Sequence, residues 1–552
     1  MRLILRSQGG NPITSSGAGV SGAEEAQVGR LVGHGVTEIA FRVPYGTHVA
    51  LGELLVGVEE GTDRRFLLRV TDIRHGAESA HDDWSERLAG NMLRLDGEGK
   101  ALPFHDREAR LFALALAQPL GFLETAAQGG SVLRKPKTLP LHFSRVCRLQ
   151  VDDLAFLHAF EQDLPIGDIR SGSDVLPYAV GVHGKWLPYH LGVFATTGMG
   201  KSNLMKRLLG SLLESRRYGV LVFDPHGEYY DGGAGLLPDG RKLQGLSQHP
   251  LAAERLAVFS CRPLAGAYNQ LKISAYEIRA SDVRNIFQFS NAQEEALWAV
   301  VELYGDGWLV ELADKPLEEI QLDFPKKFFE GTLSVLKRRA EQILAYDVVH
   351  RDGAVTATSE VLRALDEARV VLVDTSGLYE TEETLVSAIL ARTLFHRNKS
   401  LYKDRARFES LPPCLIALEE AQRVLVTKEG EPSIFAQIAR EGRKFKTGLC
   451  AVTQQPKLIP EELLSQFNTY FILGLSDARD REIVSQSAKQ DLSALGREIQ
   501  TLEPGEAIVA SPNVPFAVPT KVHLYEDYLA RLPPSTNGGP GSRPIATPTG
   551  FY

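Results

Sequence analysis

The chain holds only four cysteines in 552 residues, Cys147, Cys261, Cys414 and Cys450, and they are scattered without metal-ligand spacing. A disulfide framework or a zinc knuckle is therefore excluded as the organising principle of the fold. Long apolar runs are also missing. No stretch of about 18 apolar residues occurs, and the amino-terminal MRLILRSQGG has no extended apolar segment, which predicts a soluble, unexported, cytoplasmic protein with no membrane partner. Positive charge is not in excess either. Against 61 Lys and Arg stand 69 Asp and Glu, a net charge of −8, so any nucleic-acid contact has to be confined to a local channel instead of a broadly basic surface. What is present is bulk: 552 residues, 43% of them hydrophobic, exceed what one core usually serves and predict more than one domain.

Chemistry concentrates first at residues 195–202, ATTGMGKS, which fit the phosphate-loop pattern G-x-x-x-x-G-K-[ST] with Ala195 at the first glycine position. The apolar run 191–194 precedes the loop, and Leu204, Leu208, Leu209, Leu212 and Leu213 follow at helical spacing, so strand, loop and helix come in the required order. Backbone N–H groups at the helix start, aided by the helix dipole, suit phosphate. The segment Thr197, Gly198, Met199, Gly200, Lys201, Ser202 and Asn203 is expected to line the nucleotide. Lys201 would reach the β- and γ-phosphates, and Ser202 would help to hold Mg²⁺.

Further apolar strands end in polar residues, as in a parallel α/β sheet that gathers chemistry at the carboxyl ends of its strands. Residues 218–224 deliver Asp224 near the phosphate loop as a further candidate for binding the nucleotide, with His226 and Glu228 just beyond. Residues 370–377 deliver Asp374. Residues 414–420, CLIALEE, have the form of a Walker B strand. Glu419 is placed to complete the Mg²⁺ shell, and Glu420 to orient and deprotonate the attacking water. Residues 447–453 bring Gln454 to the same edge, where a neutral amide suits sensing of the γ-phosphate. Residues 438–446, IAREGRKFK, form a basic helix end whose alternative reading is a solvated cationic face.

Taken together, residues 190–202 (HLGVFATTGMGKS), 224–229 (DPHGEY), 373–377 (VDTSG), 418–421 (LEEA), 438–445 (IAREGRKF) and 453–456 (TQQP) resemble the HerA family of the HerA/FtsK branch of P-loop proteins. Departures from the usual family residues occur at Met199, Gln422 and Gln455. The resemblance implies an ATP- and Mg²⁺-dependent homo-hexameric translocase or helicase acting on double-stranded DNA. It also implies an arginine finger in trans, for which Arg443 and then Arg440 are the candidates. In the family the ring feeds DNA to a partner nuclease of the NurA type, which would do the cutting, or organises a defence effector such as a nuclease or a sirtuin-like enzyme. Other readings left open are a nucleotide-gated scaffold for an antiviral effector and a packaging or conjugation pump.

The expected architecture is α/β, a RecA-like P-loop core with an amino-terminal β-barrel and an inserted helical bundle. Short β-rich runs at 27–33, 38–43, 54–58 and 65–70 place the barrel in residues 1–150, with a charged excursion near 78–106. The core divides into 151–279 and 352–532 around a helical insertion at 280–351, in which Trp298 and Trp308 are read as core residues. Strands near 503–510 and 520–524 form a hairpin. The Pro-, Gly- and Ser-rich tail 533–552 is too poor in apolar surface to order itself.

Overall fold

The structure is a computed structural model that describes residues 26–62, 64–77, 84–98, 110–125, 131–160, 162–325, 327–352, 356–425 and 433–533. The tail expected from 533 onward lies outside these residues, save for its first.

Alternating apolar residues build the amino-terminal unit. Its strands are β1 (Gln27–His34), β2 (Ile39–Pro44), β3 (Leu54–Val58), β4 (Arg65–Ala77), β5 (Leu111–Thr125), β6 (Ser131–Arg134) and β7 (Arg145–Arg148). They pair in the order β2-β1-β7-β3-β4-β5-β6, and β2 also pairs with β5, which closes six strands into a barrel and leaves no open edge among them. Val28, Leu31, Phe41, Leu55, Phe66, Leu68 and Val146 fill its centre. The expected barrel is thus present. Its charged excursion contains a helix, Trp84–Gly97, which buries none of its residues.

A larger sheet holds β8 (Leu164–Ser171), β9 (Asp174–Val182), β10 (Leu191–Phe194), β11 (Gly219–Asp224), β12 (Leu256–Ser260) and β13 (Asn269–Gln270). The pair β14 (Ile273–Ser274) and β15 (Val349–His350) stands apart from it, and the large sheet continues with β16 (Val370–Asp374), β17 (Cys414–Leu418), β18 (Thr447–Thr453), β19 (Thr469–Ile472), β20 (Glu506–Ala510) and β21 (Val518–Val522). Among the described residues its order is β13-β12-β16-β11-β17-β18-β10-β19-β20-β21-β8-β9. The run from β13 to β19 is parallel. The rest is antiparallel. Strands β10, β11, β16, β17 and β18 are buried along their whole length, which is why their sequences read as continuous apolar runs. The β20–β21 hairpin matches the sequence reading, whereas β12 and β13 add strands that the apolar pattern did not single out.

Five helices, Ala280–Ile286, Asn291–Tyr304, Trp308–Asp314, Leu317–Asp323 and Glu330–Leu344, occupy the predicted helical stretch. The parallel pair β14–β15 ties its two ends together. Trp308 is buried and donates its indole N–H to the Ile278 carbonyl at 2.9 Å. Trp298 departs from expectation. It is 46% exposed, because Leu297 and Val300 take the inward face of the same helix.

Barrel and sheet meet through a buried ionic cluster. Arg69 on β4 donates through Nε to Glu498 at 2.8 Å, and Arg170 on β8 donates through Nη2 to the other oxygen of Glu498 at 2.6 Å. Arg69 also donates to the carbonyl of Ala517 at 2.8 Å. A second buried titratable group sits just ahead of β10. The His190 ring accepts from the Leu449 N–H at 2.9 Å, and burial, offset in part by a hydrogen bond to the Ala439 backbone, pushes its pKa down from 6.5 to about 4. The unfolded chain therefore takes up the proton more readily. Stability is complete above pH 6.5 and falls as pH drops toward 4, by about 3 kcal/mol from this group. His190→Asn should flatten that part of the pH–stability curve, as measured by denaturant unfolding at pH 7.5 and pH 4.5.

Candidate functional site

The parallel strands carry the candidate residues to one edge. Strand β10 ends in the phosphate loop, β17 in Glu419 and Glu420, β18 in Gln454 and β11 in Asp224. Because β18 lies between β10 and β17, the loop and the acidic pair stand two strand spacings apart, about 10 Å. That gap is wide enough for a phosphoryl group and a water, and Gln454 sits at its back.

The loop is shaped by two glycines in the left-handed region, Gly198 at φ 84° and Gly200 at φ 94°. A Cβ at Gly198 would meet nothing within 4 Å, so the cradle there is open. Its outer side is braced by neighbours: Thr196 donates its N–H to the Gly474 carbonyl at 2.9 Å, and the Met199 carbonyl accepts from Gly505 at 3.2 Å. The helix Lys201–Ser215 starts at once behind it. Lys201 Nζ lies 3.7 Å from Glu419 Oε2 and 3.7 Å from Glu420 Oε1. Ser202 donates its hydroxyl to Glu228 at 2.9 Å.

The two carboxylates differ in their surroundings. Burial raises the pKa of Glu419, against the opposing pull of Lys201 and of a hydrogen bond from Tyr229. Glu420 is held below the ordinary range. Its partial burial acts the other way but is outweighed by hydrogen bonds from Gln422 and Gln454 and by the Lys201 charge. Gln454 donates to Glu420 Oε1 at 3.2 Å and accepts from the Thr197 hydroxyl, which links the phosphate loop to the acidic pair through one amide. Pairs of carboxylates whose environments separate their pKa values are suited to different tasks.

Several predicted residues occupy other positions. Asp224 turns its carboxylate onto the backbone N–H groups of His226, Gly227, Glu228 and Tyr229, so it builds the turn that presents Glu228 and Tyr229. Asn203 gives its side chain to the carboxyl-terminal segment, donating to the His523 carbonyl at 3.0 Å and accepting from Tyr525 at 2.8 Å. Met199 packs its methyl against Gly474. These two can offer phosphate only their backbone. Asp374 is latched to Arg262 at 2.7 Å and to Ser260 at 3.0 Å, while His226 is exposed. Arg443 and Arg440 are not brought to this edge. Arg443 lies just before β18 with its guanidinium over the Tyr189 ring at 4.1 Å, and Arg440 faces Glu462 at 3.2 Å. Both stand at the opposite end of the strands, about 20 Å away for the seven residues of β18.

Tyr229 and Gln422 are contacts that sequence reading passed over, although Tyr229 closes the 224–229 string and Gln422 follows the acidic pair. Tyr229→Phe strips a buried carboxylate of a donor and should lower stability by about 1.5–3 kcal/mol, measurable as a shift in denaturant midpoint.

Comparison with known proteins decides the type. Residues 164–394 match the profile of the helicase HerA central domain. Similar curated proteins include a probable helicase of Methanocaldococcus jannaschii, 27% identical over 61% of this chain and 63% of its own length. The DNA double-strand break repair helicases HerA of Pyrococcus furiosus and Sulfolobus acidocaldarius are 24% and 27% identical, over 63% and 67% of this chain and 68% and 72% of theirs. The chain thus spans a little under two thirds of the first relative and slightly more of the other two. Among solved structures, plasmid coupling protein TrwB bound to a non-hydrolysable GTP analogue is 14% identical over 66% of this chain and 95% of its own, with a TM-score of 0.43. VirB4 of Thermoanaerobacter pseudethanolicus is 16% identical over 65% and 96%, with a TM-score of 0.44. The phosphate loop lies inside the matched stretch, and Glu419, Glu420 and Gln454 lie beyond its end. No helix among the described residues is long and apolar enough to cross a membrane.

Proposed function

We propose that the protein couples ATP hydrolysis to movement of double-stranded DNA as a homo-hexameric, RecA-like ring. The observation that carries this reading is the convergence of Lys201, Glu419, Glu420 and Gln454 at one sheet edge, with the phosphate loop inside the stretch that matches the helicase HerA central domain. The relatives named as DNA double-strand break repair helicases support the choice of DNA.

Within one subunit, the loop 197–203 binds the phosphates through backbone N–H groups, and Lys201 neutralises charge on the transferring group. Glu420 orients the attacking water and takes its proton, while Gln454 joins the loop to that carboxylate. The Ser202 hydroxyl beside Glu228 and the buried Glu419 carboxylate are hard oxygen donors of the kind that suits Mg²⁺. Bound there, Mg²⁺ would neutralise charge on the β- and γ-phosphates. Arg443, with Arg440 as the second choice, belongs to the face that meets a neighbour's nucleotide. Their distance from the subunit's own loop fits a role in trans. The ring would feed DNA to, or organise, a partner nuclease of the NurA kind or a defence effector.

The test is the ATPase rate of purified protein with and without linear duplex DNA across a salt series. Stimulation that fades as salt rises is the expected result. A slow rate indifferent to DNA would sink the translocase reading in favour of a nucleotide-gated scaffold.

A further inference from the structure

Glu420 sits in an unusual backbone state. Its φ of 48° lies in the left-handed region, which a residue with a side chain occupies at some energetic cost and keeps only when its surroundings fix it. Two amides do the fixing. Gln454 takes Oε1. The other oxygen, Oε2, accepts from Gln422 Nε2 at 2.6 Å.

The orientation of the Gln422 amide follows from its second contact. The Thr453 hydroxyl accepts the Gln455 N–H at 3.0 Å, so its own hydrogen is free to be donated, and it goes to Gln422 Oε1 at 2.6 Å. With Oε1 engaged as acceptor, only the NH₂ group of Gln422 can face the carboxylate. The result is a continuous chain: Thr453 to Gln422, Gln422 to Glu420, Gln454 to Glu420, and Thr197 to Gln454. It joins the end of β18 to the phosphate loop and leaves the Glu420 carboxylate held by both oxygens.

We propose that Gln422 is a positioning residue for Glu420, its amide oriented by Thr453 so that it holds the oxygen which Gln454 leaves free. The proposal rests on the reading that Glu420 is the base of ATP hydrolysis, and it names what aims that base. The titratable and charged groups facing Glu420 are Lys201 from the phosphate-loop helix, Glu419 and its partner Tyr229 beside it, and Arg423 on the following turn. None of these is altered by changing Gln422. Removing the amide releases Oε2, so the carboxylate loses the orientation that the chain of hydrogen bonds gives it.

The experiment is kcat at one pH for the wild type, Gln422→Met, Thr453→Val and Thr453→Ser, with equilibrium binding of a fluorescent ADP analogue for each. Methionine keeps the volume and removes the donor. Gln422→Met should lower kcat about tenfold or more, with ADP binding unchanged. Thr453→Val should lower kcat by less, again with ADP binding unchanged, and Thr453→Ser should restore the wild-type kcat. Equal kcat for wild type and Gln422→Met would overturn the proposal, as would a loss that tracks weakened ADP binding. If Gln422→Met fails to fold, the Thr453 pair decides between the same outcomes. A wild type without ATP turnover would instead sink the hydrolysis reading itself, and the proposal with it.

Discussion

Glu420→Gln is expected to lower kcat for ATP hydrolysis by about 10²- to 10⁴-fold, with nucleotide affinity nearly unchanged. The amide keeps the size of the side chain but cannot accept a proton from water. Lys201, which lies as close to Glu419 as to Glu420, retains one carboxylate partner, so the phosphate loop should keep its shape. The check is a steady-state ATPase assay beside a binding titration with a non-hydrolysable analogue. Loss of binding in parallel with kcat would mean that Glu420 holds the loop together and is not the base. Lys201→Ala should behave differently and weaken both, because the lysine contacts phosphate in the ground state and in the transition state alike.

The second large effect is on stability. Glu498→Leu should cost about 3–5 kcal/mol, because it leaves Arg69 buried without its carboxylate and Arg170 with only Glu506, 3.8 Å away. The triple variant Arg69→Met, Glu498→Leu, Arg170→Met should recover most of that loss, since a well-packed apolar cluster can replace a buried ionic one. Denaturant midpoints of the two variants and the wild type make the comparison. If Glu498→Leu unfolds within about 1 kcal/mol of the wild type, the cluster contributes little to docking barrel on sheet.

Much of the site was legible because its chemistry lies in consecutive residues that local rules govern. The phosphate loop needs glycine at 198 and 200 for left-handed backbone, and the apolar strands β10, β11, β17 and β18 announce themselves by being buried on both faces. What stayed hidden depends on direction and not on type. Asn203 lies in the loop's own sequence, yet its side chain serves the segment at 523–525. Asp224 has the chemistry of a ligand and spends it on its own turn. Trp298 looks like core by composition, but the phase of its helix points it outward. The Arg69–Glu498–Arg170 cluster joins residues hundreds of positions apart, and no spacing rule reaches that far.

The large sheet also sets an order of events during synthesis. Strand β8, near residue 164, pairs with β21, which ends at Val522, and the phosphate loop is braced by Gly505. The barrel pairs only strands from the first 148 residues and can close early. The motor cannot. Its first strands must wait on the ribosome, with one edge unpaired, for more than 300 residues to follow, and long-range pairings of this kind are slow and exposed to misassembly. A nascent chain interrupted before the final hairpin would carry a finished barrel and an incomplete ATPase, so the assembly of active subunits is gated by completion of the chain itself.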